Sequence, residues 1–181
     1  MDNPTTLLVA IMYVTIVATG LITALMALSE IVGGQRKTAP IHTAWILLLL
    51  VSYFSFFWET TALLDIEGWS FLTFLAFIAG PVVLLFATNL LIAAPDAQGD
   101  VMLDEFYFDL SGRFFALLAL VQLWVIGLDV VFATITYATY LTACIGIFFI
   151  VLVVSKNRRL HVAGASIVGL ALLSRMFLQA M

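Results

Sequence analysis

Cysteine, histidine and charge are all scarce in this chain, and each scarcity closes off chemistry. Cys144 is the only cysteine in 181 residues, which excludes an internal disulfide and any Cys-x-x-Cys redox or zinc site. The two histidines, His42 and His161, have no second pair beside them and no Glu-x-x-His or His-Glu-x-x-His spacing. Both stand where apolar runs begin, a position that favours interfacial anchoring or contact with phosphate headgroups over ligation of haem or a metal. The seven basic residues form no tract, so no nucleic-acid partner is expected. There is no Gly-x-Ser-x-Gly, Walker loop or dinucleotide glycine pattern in the strand and helix context that each requires. No lysine falls inside an apolar run, which argues against a retinal Schiff base. No catalytic residue, cofactor or metal site is expected, and the chain reads as non-enzymatic.

What is abundant is apolar sequence. Hydrophobic residues make up 64% and charged residues 10%, against roughly 45–50% and about 25% in soluble domains. A soluble fold of this size would lack the polar residues to cover its surface. The apolar residues fall in runs close to the ~20 that span a ~30 Å hydrocarbon core as a helix. The spacing predicts a single all-α domain over residues 1–181, an integral membrane bundle of six transmembrane helices. The expected spans are 6–31, 42–64, 69–93, 110–133, 136–154 and 160–179. The fourth and fifth are separated only by a short Thr/Tyr-rich turn, but together they are too long for one crossing. The N-terminus lacks a basic region and an obvious small-residue cleavage site, so the first run is expected to remain as a helix.

Charge placement orients the bundle. Arg36 and Lys37 lie between the first two spans, Arg113 opens the fourth, and Lys156, Arg158 and Arg159 lie between the last two. With six crossings these groups share one side, which the positive-inside rule makes cytoplasmic. Both termini are then predicted on the outer side, as is the acidic turn Asp65-Ile66-Glu67-Gly68. The net charge of −4 arises largely from loop acids such as Asp96, Asp100, Asp104, Glu105 and Asp109. The segment from Val101 to Phe108 mixes aromatic and acidic residues and reads as an amphipathic lead-in to the fourth helix, with a docking surface for a partner as the alternative. The basic turns before His42 and His161 look alike, but they join spans one to two and five to six and so indicate no three-plus-three duplication.

Three ionisable residues fall inside spans: Glu59, Asp129 and Arg175. A charge in the bilayer interior costs at least ~2.5–3.5 kcal/mol on insertion scales, so each needs a partner or water. Each follows the basic end of its helix by sixteen or seventeen residues, which puts all three about 24–26 Å from that end. With Gln122, two turns before Asp129, they form a candidate intramembrane polar cluster. Four uses are open: ion pairing that fixes helix register, snorkelling to the outer interface, a polar ligand or ion site, or, least favoured, a catalytic cluster. Ser52 and Ser55 precede Glu59 at helical spacing and suggest that this face points inward. Gly80-Pro81 is a candidate helix break in the third span, because proline removes one donor and clashes with the carbonyl of Phe77. Such breaks serve binding sites in transporters and also occur in ordinary membrane helices. Thr15, Thr19 and Thr23 recur every four residues and are expected to bond their own backbone or a neighbouring helix.

Ser29-Glu30, His42 with Trp45, Glu67 with Trp69 to Phe71, Phe74-Leu75, Pro95-Asp96, Arg113-Phe114-Phe115 and Asn157-Arg158-Arg159 with His161 are spread across most of the chain. This pattern resembles small multi-span inner-membrane proteins of bacteria. The resemblance implies the architecture and a bacterial inner membrane, and it supplies no catalytic residue. Two functions follow as expectations. The first is an accessory or assembly subunit, with the lipid bilayer, other membrane subunits or a second copy as partners. The alternative is a small transporter or channel using Glu59, Asp129 and Arg175.

Overall fold

Six helices account for nearly all of the computed structural model, which describes residues 4–34, 39–64, 66, 68–92, 103–132 and 134–179, with the side chains of 62, 103–105 and 175–179 outside the description. They are α1 (Pro4–Val32), α2 (Pro40–Leu63), α3 (Phe71–Ile92), α4 (Leu103–Val131), α5 (Tyr137–Val154) and α6 (Arg158–Gln179). Five of the six expected spans agree with these bounds to within two residues at each end. The fourth helix differs: it begins at Leu103 rather than near 110. The aromatic and acidic lead-in therefore belongs to its first turns, and Tyr107 within it is fully buried. Glu105 to Asp109 contains no proline or glycine, so nothing in the sequence stops the helix from extending out of the apolar run. The acids of residues 93–102 and the basic pair Arg36-Lys37 lie outside the described residues.

The helices alternate in direction and close into a ring in the order α1, α2, α6, α5, α4, α3, with α2 also reaching α3. Contacts at both ends fix this arrangement. At one end Thr6 near the start of α1 donates to the carbonyl of Ile66 after α2, at 3.5 Å. At the other, His42 near the start of α2 meets the carbonyl of Leu91 near the end of α3, at 2.6 Å. The second end carries the Lys156–Arg159 turn and is called the basic end below.

Small residues and interhelical hydrogen bonds set the packing, as expected where helix association cannot rely on hiding apolar surface from water. The Tyr53 ring lies over Gly20 so closely that an added Cβ would stand 2.1 Å from it. The Tyr53 hydroxyl meets Thr88 Oγ1 at 2.7 Å. Because Thr88 already donates to the Leu84 carbonyl at 2.9 Å, the tyrosine is the donor. One side chain thus ties α1, α2 and α3 together.

The outer surface is apolar on every helix. Leu8, Met26, Phe57, Trp58, Phe86, Leu123, Ile147 and Leu170 are among the exposed large hydrophobics. A soluble monomer rarely exposes contiguous apolar area beyond a few hundred Å², whereas lipid solvates such a belt. Five helices, α1 to α5, are long and apolar enough to cross a membrane. The 22-residue α6 begins with Arg158 and Arg159 and then presents Val162, Ile167, Leu170 and Leu173 outward. The chain is an all-helical integral-membrane bundle.

Candidate ligand cavity

Between α2, α4, α5 and α6 the bundle is not filled. A cavity of about 360 Å³ lies there, with Leu84 of α3 contributing to its wall. Its end nearest the basic turn is closed by aromatic rings. Trp45 packs against Phe114, Phe115 and Phe149 with ring centroids 5.8, 4.9 and 6.1 Å away, and all four rings are buried. Leu49, Leu118 and Val168 add apolar wall above this floor.

Towards the opposite end the lining becomes polar. Ser52, Ser55 and Glu59 come from α2, Gln122 from α4, Tyr137 and Thr142 from α5, and Ser174 from α6. Tyr137 and Ser174 are also exposed on the outside of the bundle, so this end is the mouth. The stripe Ser52, Ser55, Glu59 runs along one face of α2 because its members are three and four residues apart, successive turns of one helix side.

Of the candidate polar cluster, the side chains of Glu59, Gln122 and Asp129 are described. Glu59 and Gln122 both line the cavity's polar half. Asp129 does not line it. Its carboxylate accepts a hydrogen bond from Thr139 Oγ1 at 2.6 Å, and Thr139 Oγ1 in turn accepts from the backbone N–H of Thr136 at 3.1 Å. Asp129 thereby pins the turn from α4 into α5. Arg175 is carried on α6 one residue beyond the cavity-lining Ser174, and its side chain lies outside the described residues.

Gly80 and Pro81 do not interrupt α3, which runs unbroken from Phe71 to Ile92. Both are buried, and neither lines the cavity. The missing Cβ of Gly80 admits the Trp124 ring of α4, whose atoms would lie 2.3 Å from a Cβ placed there. The indole N–H donates to the carbonyl of Ala76, five residues before the proline. The carbonyl that Pro81 leaves without a helical donor is that of Phe77; the indole bonds the neighbouring carbonyl of Ala76 and so joins α4 to α3. The expected break is a helix–helix joint.

The histidines also differ from expectation. His42 and His161 are 3% and 0% exposed and do not face headgroups. His42 Nε2 donates to Leu91 O, satisfying one of the carbonyls that the end of α3 leaves without a helical partner. His161 Nε2 lies 2.9 Å from Ser155 O and so carries a hydrogen. In the neutral ring, its Nδ1 then accepts from the Tyr107 hydroxyl at 2.8 Å. Lys156 adds a bond to the carbonyl of Phe108. All of these contacts secure the basic end, on the far side of the aromatic floor from the cavity. Among the described residues no group of three His, Cys, Asp or Glu side chains is placed to hold a metal ion. Thr15, Thr19 and Thr23 each donate to the carbonyl four residues back at 2.8 Å, one of the two roles expected of them.

Sequence reasoning missed the aromatic floor and the α5 and α6 contributions to the cavity. The signals in the chain were Ser52, Ser55 and Glu59 on one face and the grouping of Gln122 with Glu59 in the candidate polar cluster; nothing in the chain brings Thr142 to them. The fold and its cavity define a multi-pass helical membrane protein with an internal pocket open at one end. The chain matches no known family, curated protein or solved structure.

Proposed function

We propose that this is a non-enzymatic membrane protein that binds a small amphiphilic molecule inside its bundle, in a bacterial inner membrane with the basic turns in the cytoplasm. The observation that carries the reading is the cavity, apolar at its floor and polar at its mouth. Its ~360 Å³ falls at the small end of the 300–1,000 Å³ of ligand pockets, which combine apolar walls with a few placed polar groups. The floor of buried rings favours a binding site over a water-filled pore. An accessory role fits the same reading, with the bound molecule held for, or presented to, another membrane component.

The test is retention of a ligand. Native mass spectrometry of the protein released from mild detergent is expected to show a bound small molecule in stoichiometric amount. Ala171→Phe, which places a ring in the cavity from α6, is expected to release it while leaving the helical content unchanged. A protein that emerges empty, with a melting temperature that amphiphiles raise no more than they raise that of Ala171→Phe, sinks the proposal.

A further inference from the structure

The hydroxyl groups of the cavity indicate which kind of head group it receives, an inference that rests on the cavity being a ligand site. Ser52 donates its hydrogen to Leu48 O at 2.9 Å, Ser55 to Val51 O at 3.3 Å, Thr142 to Ala138 O at 2.9 Å and Ser174 to Ala171 O at 2.8 Å. Each hydroxyl has a single hydrogen, so these four oxygens face a ligand as acceptors only. Glu59 beside them is an acceptor as a carboxylate, with two oxygens and about four lone-pair positions, so an existing contact leaves room for another. On the donor side stand the amide of Gln122, which makes no hydrogen bond to the protein among the described residues, and the hydroxyl of Tyr137 at the mouth. Acceptors therefore dominate the polar half.

An acceptor-rich wall disfavours a head that is itself only an acceptor, because facing lone pairs leave buried polar groups without hydrogens. A hydroxyl or an amine supplies the missing hydrogens, and a hydrogen bond to a charged acceptor is stronger than one between neutral groups. The whole cavity is about 360 Å³ and its apolar part includes the Trp45 ring, which suits one hydrocarbon chain rather than two. We propose that the cavity takes a single-chain amphiphile with a hydrogen-bond-donating head, an alcohol or an amine, seated with its head at Glu59 and Gln122 and its tail on Trp45.

Trp45 makes the proposal measurable. With the protein in phosphatidylcholine nanodiscs, a long-chain alcohol brominated at its tail end is expected to quench tryptophan fluorescence saturably. Lipid-exposed Trp58 supplies only a non-saturating background. The saturable part is expected to vanish in Trp45→Phe. Glu59→Leu is expected to weaken binding by at least about tenfold, the loss of one hydrogen bond to a charged acceptor, whereas Asp129→Asn, outside the cavity, leaves it unchanged. The matching brominated carboxylate is expected to give only the linear background. Equal or tighter saturable binding of the carboxylate overturns the donor-head assignment and leaves the cavity standing as a ligand site. Saturable quenching that survives Trp45→Phe, or a Glu59→Leu protein that binds as well as the parent, overturns the seating. Linear quenching by both compounds removes the cavity reading with it.

Discussion

Asp129 illustrates how a charge placed in an apolar run by sequence finds a local task. Its acceptor oxygen lies 2.6 Å from Thr139 Oγ1, a side chain only 6% exposed. Removing it strands the buried threonine hydrogen. Asp129→Ala is expected to lower stability by about 1–2 kcal/mol, the lower part of the range for an orphaned hydrogen-bonding group because Asp129 is only partly buried. Asp129→Asn keeps an acceptor oxygen and is expected to cost under ~1 kcal/mol. Loss of helicity during titration with a denaturing detergent measures both. A larger loss in the asparagine variant would show that the charge, rather than the acceptor, holds the turn. Glu59 differs because its helix turns it toward the cavity, where it meets other polar groups rather than a loop.

At the scale of elements, three glycines distinguish tight joints from open surface. Gly20 and Gly80 are the points where α1 meets Tyr53 and α3 meets Trp124, each with an aromatic ring in the space a Cβ would take. Gly127 on α4 has nothing within 4 Å of that position. Gly20→Ala and Gly80→Ala are expected to destabilise the bundle by about 1–3 kcal/mol each through overpacking. Gly127→Ala is expected to stabilise it by about 0.5–1 kcal/mol, since alanine loses less freedom in a helix. Thermal unfolding in one detergent compares the three, and a Gly80→Ala protein as stable as the parent would mean that Trp124 is not wedged there. The joint holds α4 against α3 one turn before Pro81. The sequence shows the proline but not the indole that serves the adjoining carbonyl, because Ala76 and Trp124 are 48 residues apart.

For the whole molecule, the ring of alternating helices puts both described ends of the chain opposite the basic turn. By the positive-inside rule that turn is expected on the cytoplasmic side. With Cys144 replaced by serine, Thr134→Cys is expected to react with a membrane-impermeant maleimide in intact cells, and Asn157→Cys only after permeabilisation. The reverse pattern would invert the bundle and turn the cavity mouth to the cytoplasm. The mouth's position matters to function because an amphiphile in the outer half of the bilayer presents its head at that level.

How much of this could be read from the chain follows from the physics of lipid. Helix number, the short turn near Thr134 and five of the six spans were legible because hydrocarbon demands about twenty apolar residues and satisfied backbone bonds per crossing. The expectation of equal depths for Glu59, Asp129 and Arg175 rests on rise per residue alone. Which way each helix turns its polar residues was not legible, because lipid and protein interior are both apolar and the sequence carries only weak facial asymmetry. Nor was the start of α4, where charged residues continue a helix beyond the apolar run. The buried settings of His42 and His161, the Gly80–Trp124 joint, the division of Glu59 and Gln122 from Asp129, and the cavity itself depend on contacts between residues far apart in sequence. Sequence alone determined that this protein is a helical membrane bundle and how far along its helix each charged residue falls, since both are read along one axis of the chain. Only tertiary structure decided which of those groups meet, since that depends on helix rotation and neighbours, and the close fit of rings over small residues selects both.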